Sequence, residues 1–87
     1  MTGPWRLFAD GEGFICTLRL TEEPQRRGLA ALFDQACRSV FPPIAYWMDS
    51  GPAMLFFAPD GSVVARFDAI ESGRWRAESL GGLTLTR

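Results

Sequence analysis

The segment from Thr21 to Phe41 has the clearest helical spacing of apolar residues in the chain. Its apolar residues recur three and four positions apart, at Leu29, Leu32, Phe33, Ala36, Cys37 and Val40. This spacing places them along one face of a helix. Thr21 is a suitable N-cap, Pro24 fits the first turn, and Pro42 ends the helix. The pattern therefore predicts one main helix over residues 21–41.

Shorter segments on both sides are predicted to be strands, because most of them alternate between apolar and polar residues and residues 53–58 form a short run that is apolar on both faces. They are residues 5–9, 14–20, 44–49, 53–58, 63–68 and 83–87, and residues 74–78 fit either a strand or part of a short helix. Turn signals at Asp10-Gly11 and at Asp60-Gly61 predict two β-hairpins. We therefore expect a single α+β domain over residues 1–87. Its five- to six-stranded antiparallel sheet carries the main helix on one face, in the order ββαβββ or with one further C-terminal strand.

Two of the strands alternate regularly enough for their inward faces to be assigned. In the second strand the inward residues are Phe14, Cys16, Leu18 and Leu20. In the fifth they are Val63, Ala65 and Phe67. We expect these side chains to contact the helix.

The second face of the sheet bears on function, because one helix covers only one face. This face is predicted to be apolar and rich in arginine, with Phe8, Ile15, Trp47 and Val64 beside Arg6, Arg19 and Arg66. Three arrangements would remove it from water: covering by residues 70–80, pairing of two copies, or docking on another macromolecule. The sequence leaves all three open.

Composition excludes several classes of protein. The 87 residues suit one domain, and 47% of them are hydrophobic, which argues against disorder. No apolar run approaches the roughly 20 residues of a membrane helix, and the first residues do not resemble a signal peptide. We therefore expect a soluble cytoplasmic protein. The formal net charge of −1 does not favour electrostatic attraction to nucleic acid.

The residue types present do not favour catalysis. There is no histidine, so no side chain titrates near neutral pH without perturbation, and no imidazole can bind a metal. We expect neither a metal nor a cofactor. Asp10 and Glu12 lie at a solvated hairpin tip, which is a poor place for acid–base chemistry. We interpret Cys16 and Cys37 as small buried hydrophobes rather than as a structural disulfide.

The tripeptide Arg74-Trp75-Arg76 is the remaining candidate motif. In a strand the two arginines would share one face roughly 6–7 Å apart, similar to successive phosphates, while Trp75 would point to the core. No wider basic patch surrounds them. Direct binding to nucleic acid is therefore not predicted.

These features predict a non-catalytic protein that blocks a surface of a larger partner. The predicted contact residues are Phe8, Arg19, Trp47, Arg66, Arg74 and Arg76. Trp47 is the expected anchor, so exchanging Trp47 and Phe8 for Ala should abolish binding without disturbing the fold.

In its size, its lack of catalytic residues and its predicted helix on an antiparallel sheet, the chain resembles the small inhibitors that phages and mobile elements encode, anti-CRISPR proteins among them. The resemblance implies a host nucleoprotein complex, such as a CRISPR complex, as the target. The alternatives are a self-assembling homodimeric structural or accessory subunit and a small enzyme that uses carboxylates alone.

Overall fold

Eight antiparallel strands form a closed barrel in the computed structural model, which describes residues 2–87. The strands are β1 (Gly3–Ala9), β2 (Gly13–Gln25), β3 (Gly28–Phe33), β4 (Tyr46–Asp49), β5 (Ala53–Phe57), β6 (Val63–Glu71), β7 (Arg74–Ala77) and β8 (Leu83–Thr86). Each strand pairs with the next one along the chain, and β8 pairs with β1. This last pairing closes the sheet, so neither terminal strand is left as an edge.

The inside of the barrel is a packed apolar core. Its largest fully buried side chains are Trp5, Trp47, Phe56, Phe67, Leu7, Leu18 and Leu20. The Phe56 ring lies between those of Phe33, Phe41 and Phe67, at centroid distances of 5.5, 5.6 and 5.3 Å. No charged or polar residue is buried among those that the structure describes. The interior therefore serves stability, as it does in other small barrels.

The predicted main helix over residues 21–41 is wrong, and with it the α+β class and the order ββαβββ. Residues 21–25 complete β2, residues 28–33 form β3, and only the 3-10 helix Gln35–Ser39 is helical within the predicted span. A closed barrel covers the inward face of every strand, so it needs no helix to cover a sheet.

The helical spacing of this segment includes two exposed residues, Leu32 and Ala36, beside residues that pack against the core. Leu32 is 60% exposed on the outside of the barrel. The residues of β3 that pack against the core are Leu29, Ala31 and Phe33, which alternate as strand residues do. Pairing with β2 on one side determined the structure of this segment, since tertiary context overrides a weak helical pattern.

The expectation that Cys16 and Cys37 are unpaired is also wrong. They form a disulfide that joins β2 to the 3-10 helix across 21 residues, with a Cα–Cα distance of 5.4 Å. Both cysteines are 1% exposed. The 3-10 segment thus places Cys37 and the nearby Phe41 in the barrel core, close to Cys16 on the inner side of the barrel wall.

Two register shifts explain why two predicted inward residues lie outside. Phe14 and Val63, the first inward residues assigned in their strands, are each 55% exposed. The pairing of β1 with β2 shifts between Phe14 and Cys16, and that of β5 with β6 shifts between Val63 and Ala65. One extra residue in a strand turns the following side chains to the other face. Ile15 and Val64 accordingly pack against the core, although the sequence pattern placed them outside.

Gly28 lies where β3 approaches β4 most closely. A Cβ atom at this position would lie 2.5 Å from the carbonyl oxygen of Trp47 and 2.7 Å from a ring carbon of Tyr46. The Trp47 oxygen belongs to a paired strand and cannot move without disturbing the barrel. We expect Gly28→Ala to lower the free energy of unfolding by about 1–3 kcal/mol, measured by urea denaturation. An unchanged unfolding midpoint would show that the two strands can move apart freely.

Candidate functional site at an open seam of the barrel

The barrel wall is incompletely paired between β3 and β4. In the described strands these two share one registered pair, Leu29 with Trp47, whereas every other pair of neighbours shares at least three. The chain before β4 cannot extend the pairing. Pro42 and Pro43 carry no amide hydrogen, and the Ala45 N–H donates to the Phe57 carbonyl on the β5 side, at 2.7 Å. We call this gap the β3 seam.

A cleft of about 650 Å³ opens at the β3 seam. It is lined by Ala31, Leu32, Phe33, Cys37, Arg38, Phe41, Pro42, Pro43 and Ile44. The rings of Phe33 and Phe41 meet edge to face within it, with centroids 5.8 Å apart. The site is therefore an apolar groove with Arg38 as its charged member.

The backbone of β3 presents polar groups to this groove. The Asp34 N–H donates to the Thr17 carbonyl at 3.1 Å, so the backbone groups of residue 34 point to β2. Because these groups alternate in direction along a strand, those of Leu32 also point to β2. The N–H and C=O groups of Ala31 and Phe33 therefore point to the β3 seam. In the described structure no hydrogen bond joins them to residues 42–45.

The far wall of the groove is held by local bonds around the 3-10 helix. Asp34 accepts a hydrogen bond from the Thr17 N–H through its carboxylate, at 3.2 Å, and one from the Cys37 N–H through its carbonyl, at 3.0 Å. The Phe41 N–H donates to the Cys37 carbonyl at 2.9 Å, and the disulfide ties Cys37 to β2. The groove is consequently a fixed feature of the fold.

Comparison with known proteins identifies the family. The family model described as protease inhibitor Inh matches residues 1–86. This chain belongs to the protease inhibitor Inh family. No curated protein sequence matches it.

A solved structure has the same fold as this Inh-family chain. The crystal structure of a psychrophilic marine protease MP inhibitor superposes with a TM-score of 0.76 at 19% sequence identity, covering 99% of this chain and 92% of that one. At this identity the likeness shows the fold alone.

The resemblance to anti-CRISPR proteins of phages and mobile elements is wrong. The family match overturns it, and the helix on a sheet that supported it does not exist. The broader prediction of an inhibitor, made from the small size and the lack of catalytic residues, agrees with the family.

Trp47, the predicted anchor, lies inside the barrel and is 2% exposed. Its indole N–H donates to the carbonyls of Thr21 and Ala30, at 3.1 and 3.2 Å. The prediction that it lies on an outer face was wrong. It rested on the polar character of Asp49, which is exposed because β4 ends there and not because its face of the strand points outward. Because the Trp47 side chain is enclosed in the core, it cannot anchor a partner at the surface.

The other predicted contact residues are outside the core but do not form one patch. Phe8 packs edge to face on Phe14, with ring centroids 5.8 Å apart, and lies two strands from Arg76. Arg19 and Arg66 are on β2 and β6, which are four strands apart in a closed barrel of eight. Their contact with a partner stays a prediction.

Three of the four predicted arginines have acidic partners within the chain. Arg66 pairs with Asp68 at 3.1 Å, Arg74 with Glu71 at 2.9 Å, and Arg76 with Asp10 and Glu78 at 2.5 and 2.9 Å. Arg74 and Arg76 are on the outer side of β7, and Trp75 is 9% exposed, as predicted. Since their charges are already compensated, they form no open cationic surface.

The pair of Arg76 and Asp10 fastens the first hairpin turn to β7. Hydrogen bonds from Arg76, with its positive charge, hold the pKa of the Asp10 carboxyl below its ordinary value of 3.8. Because this pKa is lowered, the pair stabilises the fold at any pH above the ordinary pKa of an aspartate. The contribution is lost as the pH falls through the lower pKa of the folded state. A general acid would need the opposite shift.

We expect the NMR titration midpoint of Asp10 to lie below 3.8 and to return to about that value in Arg76→Ala. Arg66→Ala, which removes an exposed arginine with a different acidic partner, is the matched control and should leave the midpoint of Asp10 unchanged. A normal midpoint in the unmodified protein would show that the pair does not persist in solution.

The described residues offer no ready metal site. Residues 2–87 contain no cluster of three or more Cys, Asp or Glu side chains that could hold an ion. Within the same residues, no helix is both long and apolar enough to cross a membrane.

Sequence reasoning missed the β3 seam because most residues that line its cleft, those from Ala31 to Phe41, fell within the predicted helix. Two signals in the sequence could have revealed them. Gly28 is costly in a helix and suits a close approach between strands. Pro42-Pro43 directly before a strand prevents its first residues from pairing with a neighbour.

Proposed function

We propose that this Inh-family chain inhibits a protease by forming a non-covalent complex with it, and that it is not an enzyme. The match of the protease inhibitor family model to residues 1–86 carries the proposal. The absence of histidine from the sequence agrees with a role in binding rather than in acid–base catalysis.

The barrel suits an inhibitor that must survive contact with a protease. Cleavage of a folded chain requires local unfolding, and here every strand is paired on both sides at least in part. The disulfide restrains the 3-10 segment, which has little strand pairing to hold it. A rigid surface also loses less conformational freedom on binding, which favours affinity.

Inhibition can be measured against one serine, one cysteine, one aspartic and one metalloprotease with a quenched fluorescent protein substrate. We expect a stoichiometric loss of activity for at least one class, with the chain intact by mass spectrometry. Intact mass is the control, since a chain that is cut competes only as a substrate. Full activity of all four proteases at a large excess of the chain would contradict the proposal.

We further propose that the chain works in an oxidising compartment. A buried disulfide between Cys16 and Cys37 supports this location over the cytoplasm predicted from the sequence, because cytosolic thiols are kept reduced. Protein isolated from its native source and then unfolded in an alkylating agent without reductant should carry no alkyl group on either cysteine. Two alkylated cysteines in most molecules would favour the cytoplasm.

A further inference from the structure

We propose that the β3 seam binds an extended segment of the target protease as an additional β-strand, with an apolar side chain of that segment in the cleft. The inference rests on the proposed function, which supplies a protein partner. Beyond that function, the inference says which part of the inhibitor contacts the protease and which kind of protease segment this part recognises.

The backbone of β3 defines the segment as extended polypeptide. The N–H and C=O groups of Ala31 and Phe33 face the gap, and no described residue of the loop before β4 bonds to them. Two residues that are two positions apart in a strand present their groups about 6.8 Å apart, which matches alternate residues of a partner strand. Unpaired backbone groups at an accessible edge are the usual site of strand addition.

The cleft defines the side chain that faces it. Its volume of about 650 Å³ is lined by the rings of Phe33 and Phe41 and by two prolines, which offer no hydrogen-bond donor. Leu32, at the rim, is 60% exposed. Such a lining favours an aromatic or large aliphatic side chain, because burying it would remove apolar surface on both partners from water.

The charges around the β3 seam indicate a carboxylate beside that side chain. Arg38 lines the cleft, and Arg19 is in register with Leu32 at its rim. Neither arginine has an ion-pair partner among residues 2–87, in contrast to Arg66, Arg74 and Arg76. Asp34, the acidic residue next to β3, accepts a hydrogen bond from the Thr17 N–H. The arginines are therefore available to an acidic residue of the partner.

The decisive variant is Ala31→Pro, which removes the N–H that faces the gap and keeps the hydrogen bonds to β2. Proline is tolerated at strand edges when its missing donor faces outward. With whichever protease the chain inhibits, we expect Ala31→Pro to weaken inhibition about tenfold or more, because a buried carbonyl of the partner loses its donor. The control is Ile70→Ala, which changes an exposed residue of β6 outside the cleft lining and should inhibit as the unmodified chain does.

Amide hydrogen exchange of the unmodified chain tests the same step even if Ala31→Pro does not fold. In the free chain, the amides of Ala31 and Phe33 should exchange faster than that of Leu32, and both should become protected in the complex with the protease. Equal protection of all three amides in the free chain would overturn the inference.

The two proposals fail in different ways. A complex that inhibits the protease while both amides stay unprotected, or full inhibition by a folded Ala31→Pro variant, would overturn the strand addition and leave the inhibitor function intact. Absence of inhibition in all four protease classes would overturn both.

Discussion

Trp47→Ala is expected to destabilise the barrel by about 3–5 kcal/mol, a large part of the stability of a domain of this size. The side chain is 2% exposed and lies in register with the fully buried Phe56. Its indole N–H also bonds to carbonyls of both β2 and β3, next to the place where the pairing of these strands shifts. The variant therefore loses packing and removes a donor from both carbonyls, although that of Ala30 still accepts a hydrogen bond from the Thr21 hydroxyl at 2.8 Å.

Urea denaturation followed by circular dichroism measures this loss. Met48→Ala is the matched control, since Met48 is the next residue on β4 and is 36% exposed, and it should cost less than about 1 kcal/mol. Trp47→Phe should fall between the two, because it keeps an aromatic ring but not the donor. An unfolding midpoint of Trp47→Ala equal to that of the unmodified chain would contradict the buried position. The buried position thus reverses the effect that the sequence pattern predicts for this residue, which is lost binding in an intact fold.

Removal of the disulfide, in the double variant Cys16→Ala and Cys37→Ala, is expected to cost about 3 kcal/mol. The bond closes a loop with a sequence separation of 21 residues, and a loop of that length restrains the unfolded chain by about this amount. For a domain of this size the melting temperature should fall by about 12–24 °C. The 3-10 segment should be affected first, because Cys37 is its buried contact with β2.

Differential scanning calorimetry with and without a reductant provides the comparison. The unmodified chain should lose stability when it is reduced, whereas the double variant should melt at the same temperature in both conditions. That insensitivity is the control for other effects of the reductant. Thiol titration should first show that the unmodified chain is fully reduced. If the reduced chain then kept its melting temperature, the stabilisation would not come from the disulfide.

The local features of the chain were predictable from its sequence. Alternation located most of the strands, and Asp10-Gly11 and Asp60-Gly61 marked two hairpin turns that are present. These signals depend on neighbours along the chain, through side-chain alternation and turn conformation. The lack of histidine likewise pointed away from catalysis, since it follows from composition alone.

The candidate site could not be predicted in the same way. Leu32 looked like a core residue because its spacing from Leu29 and Ala36 fits a helix, and its exposure follows only from the pairing of β3 with β2. The unpaired groups of Ala31 and Phe33 depend on the path of residues 42–45, which turn towards β5. A pattern within one segment holds no information about a neighbour that fails to pair with it.

The sequence by itself determined where most strands and turns form, because alternation and turn residues act over a few positions, and its composition showed that no imidazole side chain is present. Only the tertiary structure decided that β8 pairs with β1, that single-residue shifts expose Phe14 and Val63, and that Cys16 meets Cys37. The first and the last of these features join residues far apart in sequence, and the shifts depend on how each strand pairs with its neighbour. They exist because a closed barrel must satisfy the hydrogen bonds and bury the apolar faces of all its strands at once.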